Sequence, residues 1–212
     1  TFYLLALFAA LAVSQIPPFK NNNRWKTIDF DKKVSFVKIS VCENTNLKRV
    51  CGRSRFTEAS NRAGRSLNSI EASIADFPWA GNLKATGKFS DGVTNTSSCG
   101  ATIISKRHAI TAAHCVFKKE YYNFTFYYGG NCGTSYAQGD NACGTMNMKS
   151  VDVRFITFDG DWNDIYFGND FAIIEFAQDI EFASNTVAPV CVPSKTAPLP
   201  SAAVLAGFGR VD

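Results

Sequence analysis

The sequence predicts an all-β fold, a barrel or sandwich of short antiparallel strands. Three observations point there. From Phe77-Pro78-Trp79 onward, apolar runs of about five to eight residues alternate with clusters of Gly, Asn, Asp and Pro, the punctuation of strands joined by turns. No internal repeat is visible, and the leader that precedes this stretch shows no sustained periodicity. The 212 residues carry seven cysteines behind an apolar start, which suits a disulfide-bonded secreted domain.

The expected strands are residues 82–89, 99–105, 108–112, 121–128, 149–158, 171–177 and 202–208, with Thr111–Cys115 as a short helical turn. Residues 129–148 interrupt this pattern as a polar, Gly-rich insertion. Its simplest reading is a local Cys132–Cys143 staple, worth about 3 kcal/mol for a loop of that size. A zinc site there is disfavoured, because no histidine or second cysteine pair lies nearby.

Residues 2–13 are uniformly apolar, too short a run to cross a bilayer and right for the core of a secretory signal. Ala12-Val13-Ser14 supplies small residues for cleavage before Gln15, so residues 1–14 read as a signal peptide, incomplete at its N-terminus because it lacks an initiating Met and a basic start. A membrane anchor is not expected. Residues 15–65 follow as a basic leader, with 12 Lys/Arg against 4 Asp/Glu, and Lys33–Ile39 could form a short strand within it. The body, residues 66–212, is mildly acidic, with 10 Lys/Arg against 14 Asp/Glu. The overall charge of +4 argues against nucleic acid as a partner. Asn95-Thr96-Ser97 and Asn123-Phe124-Thr125 are acceptor sequons that fit an extracellular surface.

Two short segments carry the chemistry. In Thr111-Ala112-Ala113-His114-Cys115 a histidine stands between small alanines and a cysteine. A Cys99–Cys115 bridge would fix the backbone beside the imidazole, and the alanines would let neighbouring backbone pack close. In Asn169-Asp170-Phe171-Ala172-Ile173-Ile174-Glu175-Phe176 an acid heads an almost wholly apolar strand. A carboxylate at the mouth of a buried strand needs a donor, and a neutral imidazole needs an acceptor to fix its tautomer. The two needs match. The other histidine, His108, follows Lys106-Arg107 without a motif. The run from Asp159 to Asp170 superficially resembles a calcium loop, but its sixth place is Asp164 rather than Gly and no flanking helices are apparent, so it reads as an acidic loop.

These segments, taken with others, resemble the amino-terminal half of the trypsin-like (chymotrypsin-fold) serine proteases. Phe77-Pro78-Trp79, Ser98-Cys99-Gly100, Thr111–Cys115, Asn169–Ala172, the linker-like Ala188-Pro189-Val190-Cys191-Val192-Pro193 and Gly207-Phe208-Gly209-Arg210 occur in that family's order. The resemblance implies a double-barrel fold of Greek-key antiparallel β-barrels, the first barrel complete here and the second only begun. It implies a secreted endopeptidase precursor working without cofactor or metal, with His114 as general base and Asp170 orienting it. It also implies protein or peptide substrates, an activating protease and protein inhibitors as partners, and a Cys51–Cys191 bridge tying the leader to the linker. Cys42 is then left unpaired or bonded elsewhere, and an alternative Cys42–Cys191 bridge stays open.

The chain departs from the family pattern in two places. No Gly-Asp-Ser-Gly-Gly motif is present, so this stretch is expected to be inactive by itself while the parent protein hydrolyses peptides. The activation junction aligns at Arg65 and Ser66, where Ser66-Leu67-Asn68-Ser69 replaces the family's Ile-Val-Gly-Gly. That departure raises a second reading, a catalytically inactive homologue acting as a secreted binding or regulatory protein.

Overall fold

The computed structural model describes residues 25–29, 41–54, 72–88, 92–117, 121–131, 148–159, 161–162, 168–183, 185–194, 196–198 and 203–208. Seven strands and one helix make up its regular structure: β1 (Trp25–Asp29), α1 (Val41–Val50), β2 (Ala80–Lys88), β3 (Thr94–Ile103), β4 (His108–Thr111), β5 (Tyr121–Tyr128), β6 (Lys149–Asp159) and β7 (Ala172–Phe176).

Six of the strands close a barrel. The ladder runs β6-β5-β2-β3-β4-β7 and returns to β6, antiparallel at every step. The neighbours β2–β5 and β4–β7 are not consecutive in the chain, which is the Greek-key signature. Closure depends on β6. Its first half pairs with β5 through Lys149–Asp152, and its second half pairs with β7 from Val153 onward. A register shift between Val153 and Phe155 lets one strand bend between two neighbours. Leu83, Ile103, Phe124, Phe126, Ile156, Ile174 and Phe176 fill the interior at 1 % exposure or less. Phe126 lies at its centre, stacked on Phe176 at 4.9 Å and on Tyr128 at 5.8 Å.

Six of the expected strands coincide with the barrel strands within a few residues. β3 begins five residues before its predicted start. Its first half, Thr94-Asn95-Thr96-Ser97-Ser98, has no apolar signal and is held by its pairing with β2. The strand expected at 202–208 is absent: residues 203–208 have no regular structure, and Val204 and Leu205 are exposed, with no strand beside them among the described residues. An extended segment becomes a strand only when a neighbour accepts its hydrogen bonds.

The leader holds more structure than its sequence suggests. β1 adds to the edge of β6, with Trp25 opposite Asp159 and Asp29 opposite Phe155. α1 ends where the Cys51 N–H bonds the Leu47 carbonyl and Gly52 takes a φ of 67°, the left-handed cap that glycine adopts without strain. The Gly52 N–H then bonds the Pro189 carbonyl, and Cys51 is disulfide-bonded to Cys191. The Lys33–Ile39 candidate strand and the apolar residues 2–13 lie outside the described residues. Among the described residues no helix is long and apolar enough to cross a membrane.

Candidate active site

β4 and β7 lie side by side, and the site forms at one end of their ladder. β4 ends at Thr111, which pairs with Ala172, the first residue of β7. Beyond Thr111 the chain makes a single 3-10 turn, Ala113–Cys115. Three anchors fix this turn. The Thr111 hydroxyl donates to the Gly100 carbonyl at 2.9 Å. Ala112 and Ala113 are buried, so the turn lies flat on the barrel. Cys115 is bonded to Cys99, one residue from Gly100. His114 lies between buried Ala113 and buried Cys115 and turns its ring outward.

The acid arrives from the other strand. Asn169 has a φ of 57°, a left-handed conformation that Asn tolerates better than most side chains. Its carbonyl accepts from the Phe171 N–H at 2.8 Å, a tight turn that aims Asp170 back across the ladder. Phe171 and Ala172 are buried and hold the turn in place.

Both carboxylate oxygens of Asp170 meet His114. Oδ1 accepts from the His114 backbone N–H at 2.9 Å, and Oδ2 lies 2.7 Å from Nδ1. A carboxylate can only accept, so Nδ1 carries the proton and Nε2 is the basic nitrogen. His114 is 42 % exposed and Asp170 14 %: the acid is shielded while the base is open. Nε2 lies 3.4 Å from Sγ of Cys115. Such a pair can take a proton from a hydroxyl brought to Nε2 and stabilise the resulting imidazolium.

Sequence reasoning missed Trp162. Its ring lies 6.5 Å from that of His114 and is buried. The Asp159 carbonyl accepts the Trp162 backbone N–H, and Asp159 Oδ1 accepts from the Asp161 backbone N–H, so the turn after β6 presents the indole to the histidine. A lone Trp within an acidic loop gave no cue of that contact. The calcium-like spacing from Asp159 to Asp170 has a different use, since Asp170 directs both oxygens to His114. Cys99, His114 and Cys115 lie close enough to hold a metal, but the two sulfurs are bonded to each other and offer no thiolate.

Asn95 lies on β3 and exposed Asn123 on β5, beside the facing β2 residues Gly87 and Thr86. Cys42 lies within α1, and its side chain is outside the described set, as are Arg65, Ser66, Cys132 and Cys143 altogether.

A family described as Trypsin matches residues 67–212. This chain belongs to the trypsin family. Chymotrypsin-C of Rattus norvegicus is 28 % identical over 163 residues, 76 % of this chain and 55 % of that protein. A venom serine protease of Polistes dominula is 30 % identical over 135 residues, 61 % of this chain and 42 % of its own. The chain thus spans about half the length of the curated relatives it matches. Among solved structures, HL collagenase aligns at 25 % identity with a TM-score of 0.46, over 61 % of this chain and 48 % of that one.

Proposed function

We propose that the protein is the precursor of a secreted serine endopeptidase, with His114 as general base and Asp170 as the carboxylate that orients it. The observation that carries this reading is the two-point bond between Asp170 and His114, which fixes both the tautomer and the angle of a half-exposed ring. In the proposed reaction a serine hydroxyl attacks the scissile carbonyl while Nε2 takes its proton. The imidazolium returns that proton to the leaving amine, and water then cleaves the acyl-enzyme by the same route. The 212 residues contain no Gly-Asp-Ser-Gly-Gly, so hydrolysis is expected of a longer protein that supplies it, not of this stretch.

Residues 1–14 act in this reading as a signal peptide and residues 15–65 as a pro-segment, with the Arg65–Ser66 peptide bond that joins it to residues 66–212 cut on activation. Two features support a leader that stays attached after cleavage: the Cys51–Cys191 bridge and the β1–β6 pairing each join a residue or strand before that bond to one after it. Disulfides suit an oxidising extracellular compartment, and Asn95 and Asn123 are proposed as glycan acceptors there. Substrates would be proteins or peptides, and an activating protease and protein inhibitors the partners.

A fluorophosphonate probe applied to the full-length protein after tryptic activation tests the assignment. Covalent labelling that is lost in His114→Ala is expected. A full-length product with an intact disulfide pattern and no labelling under any activation would favour the inactive binding homologue instead.

A further inference from the structure

The far end of the β4–β7 ladder carries a second histidine–acid pair. His108 opens β4 and stands directly opposite Glu175 on β7. His108 is 3 % exposed and Glu175 is fully buried. Glu175 Oε1 accepts from Arg154 Nη2, on β6, and lies 3.9 Å from Arg107 Nε. Its Oε2 lies 3.8 Å from His108 Nε2. Ser105 Oγ accepts the backbone N–H groups of Arg107 and His108, both at 3.0 Å. With both lone pairs engaged, its hydroxyl proton goes to His108 Nδ1, 2.9 Å away. The His108 proton therefore sits on Nε2 and faces the carboxylate. Ser105 is itself fully buried, so no substrate reaches this Ser–His–Glu arrangement.

The strands between the two pairs are nearly indifferent to register. Ala109 faces Ile174, Ile110 faces Ile173 and Thr111 faces Ala172. In β7, Ala172, Ile174, Glu175 and Phe176 are all buried, so the strand lacks the inside–outside alternation that normally penalises a slip. Sliding Ile past Ile exchanges one apolar contact for another. Sliding Glu175 away from Arg154 and His108 strands a buried charge, which costs several kcal/mol. The active-site end cannot tolerate the slide either, because Asp170 precedes β7 by two residues and His114 follows β4 by three. A two-residue slip displaces one strand by about 6.5 Å and takes the carboxylate out of hydrogen-bond reach.

We propose that Glu175, with His108 and Arg154, is a register lock: positioning residues that set the approach of Asp170 to His114 from the opposite end of the same ladder. The proposal rests on the reading of His114 and Asp170 as the working pair, but its test observes their geometry rather than activity. An unlabelled full-length protein would sink that reading and leave this test standing.

The chain has two histidines, so ring-labelled NMR of the disulfide-bonded protein reports both ends of the ladder at once. In the unaltered protein, His108 is expected as the Nε2–H tautomer and His114 with a single downfield Nδ1 proton. Glu175→Gln should split or broaden the His114 signals. Arg154→Gln with Glu175→Gln removes the stranded charge, so thermal stability should recover towards the unaltered protein while the His114 signals stay split. A merely structural role predicts that the two readouts recover together. A folded double variant with a single, unshifted His114 Nδ1 proton would overturn the lock. So would an unaltered protein whose His108 carries its proton on Nδ1, a result that needs no variant.

Discussion

Two histidine–carboxylate pairs share one pair of strands, and they differ in what is left over. At the open end Asp170 commits both oxygens to one residue, its backbone N–H and its ring, and Nε2 of His114 faces outward. At the closed end His108 is engaged on both sides, by Ser105 and by Glu175, and Arg154 and Arg107 balance the acid. The first arrangement keeps a lone pair for chemistry. The second turns its polar groups towards one another across three strands and leaves none open to substrate. The residue types are alike; the neighbours decide. Buried Ala113 and Cys115 flank an exposed His114, whereas buried Ser105 and Glu175 face His108 inside the barrel wall.

The sharpest break between the pairs is catalytic. Asp170→Asn in the full-length protein places an amide N–H against Nδ1 and forces the proton onto Nε2, the wrong tautomer for a base. A fall in kcat on the order of 10,000-fold is expected in peptide hydrolysis, the scale found when a Ser-His-Asp triad loses its orienting acid. A fall under tenfold would remove Asp170 from the mechanism.

Stability should rank the pairs the other way. Glu175→Leu leaves Arg154 and His108 without their buried acid and should cost about 3–5 kcal/mol in denaturant unfolding. Asp170→Ala breaks a pair whose histidine is 42 % exposed and should cost about 1 kcal/mol or less. If the order were reversed, the closed end would not be the structural one.

This contrast also marks how far the sequence could be read. The open end was legible because its chemistry is local. A histidine between alanines and a cysteine, and an acid heading an apolar run, each fit within a few residues. The closed end was not, because burial is set by the partner strand. Glu175 sits inside an apolar run that reads as a strand whatever its one acid does, and only the register opposite His108 gives that acid a purpose. The same reason hides the polar first half of β3, made a strand by β2. It hides α1 as well, whose centre is Asn44-Thr45-Asn46, residues that favour caps and turns over helix. The bond to Cys191 and the Gly52 cap supply what its propensity lacks. Barrel strands with their own apolar periodicity, such as β5 and β6, needed no such help.

A third intervention acts on the open end alone. Replacing both Cys99 and Cys115 by Ala opens a loop with a sequence separation of 16 residues. Chain entropy assigns that bridge about 3 kcal/mol. The loss should appear in thermal unfolding, with increased exchange of the His114 backbone amide and little change at His108. Equal loosening at both histidines would mean that the ladder moves as one body and that the two ends are not separately anchored.

The smallest expected effect is a control on pH. Tyr128 lies against Phe126 in the barrel interior, and burial raises its pKa above 10.0, with the negative charge of Glu181 adding to the shift. The folded state therefore holds this proton more tightly than the unfolded chain does. The sign follows: the stabilisation is fully present below about pH 10 and is lost as pH rises through the folded value. Tyr128→Phe should flatten the alkaline limb of the stability curve and leave the neutral region unchanged.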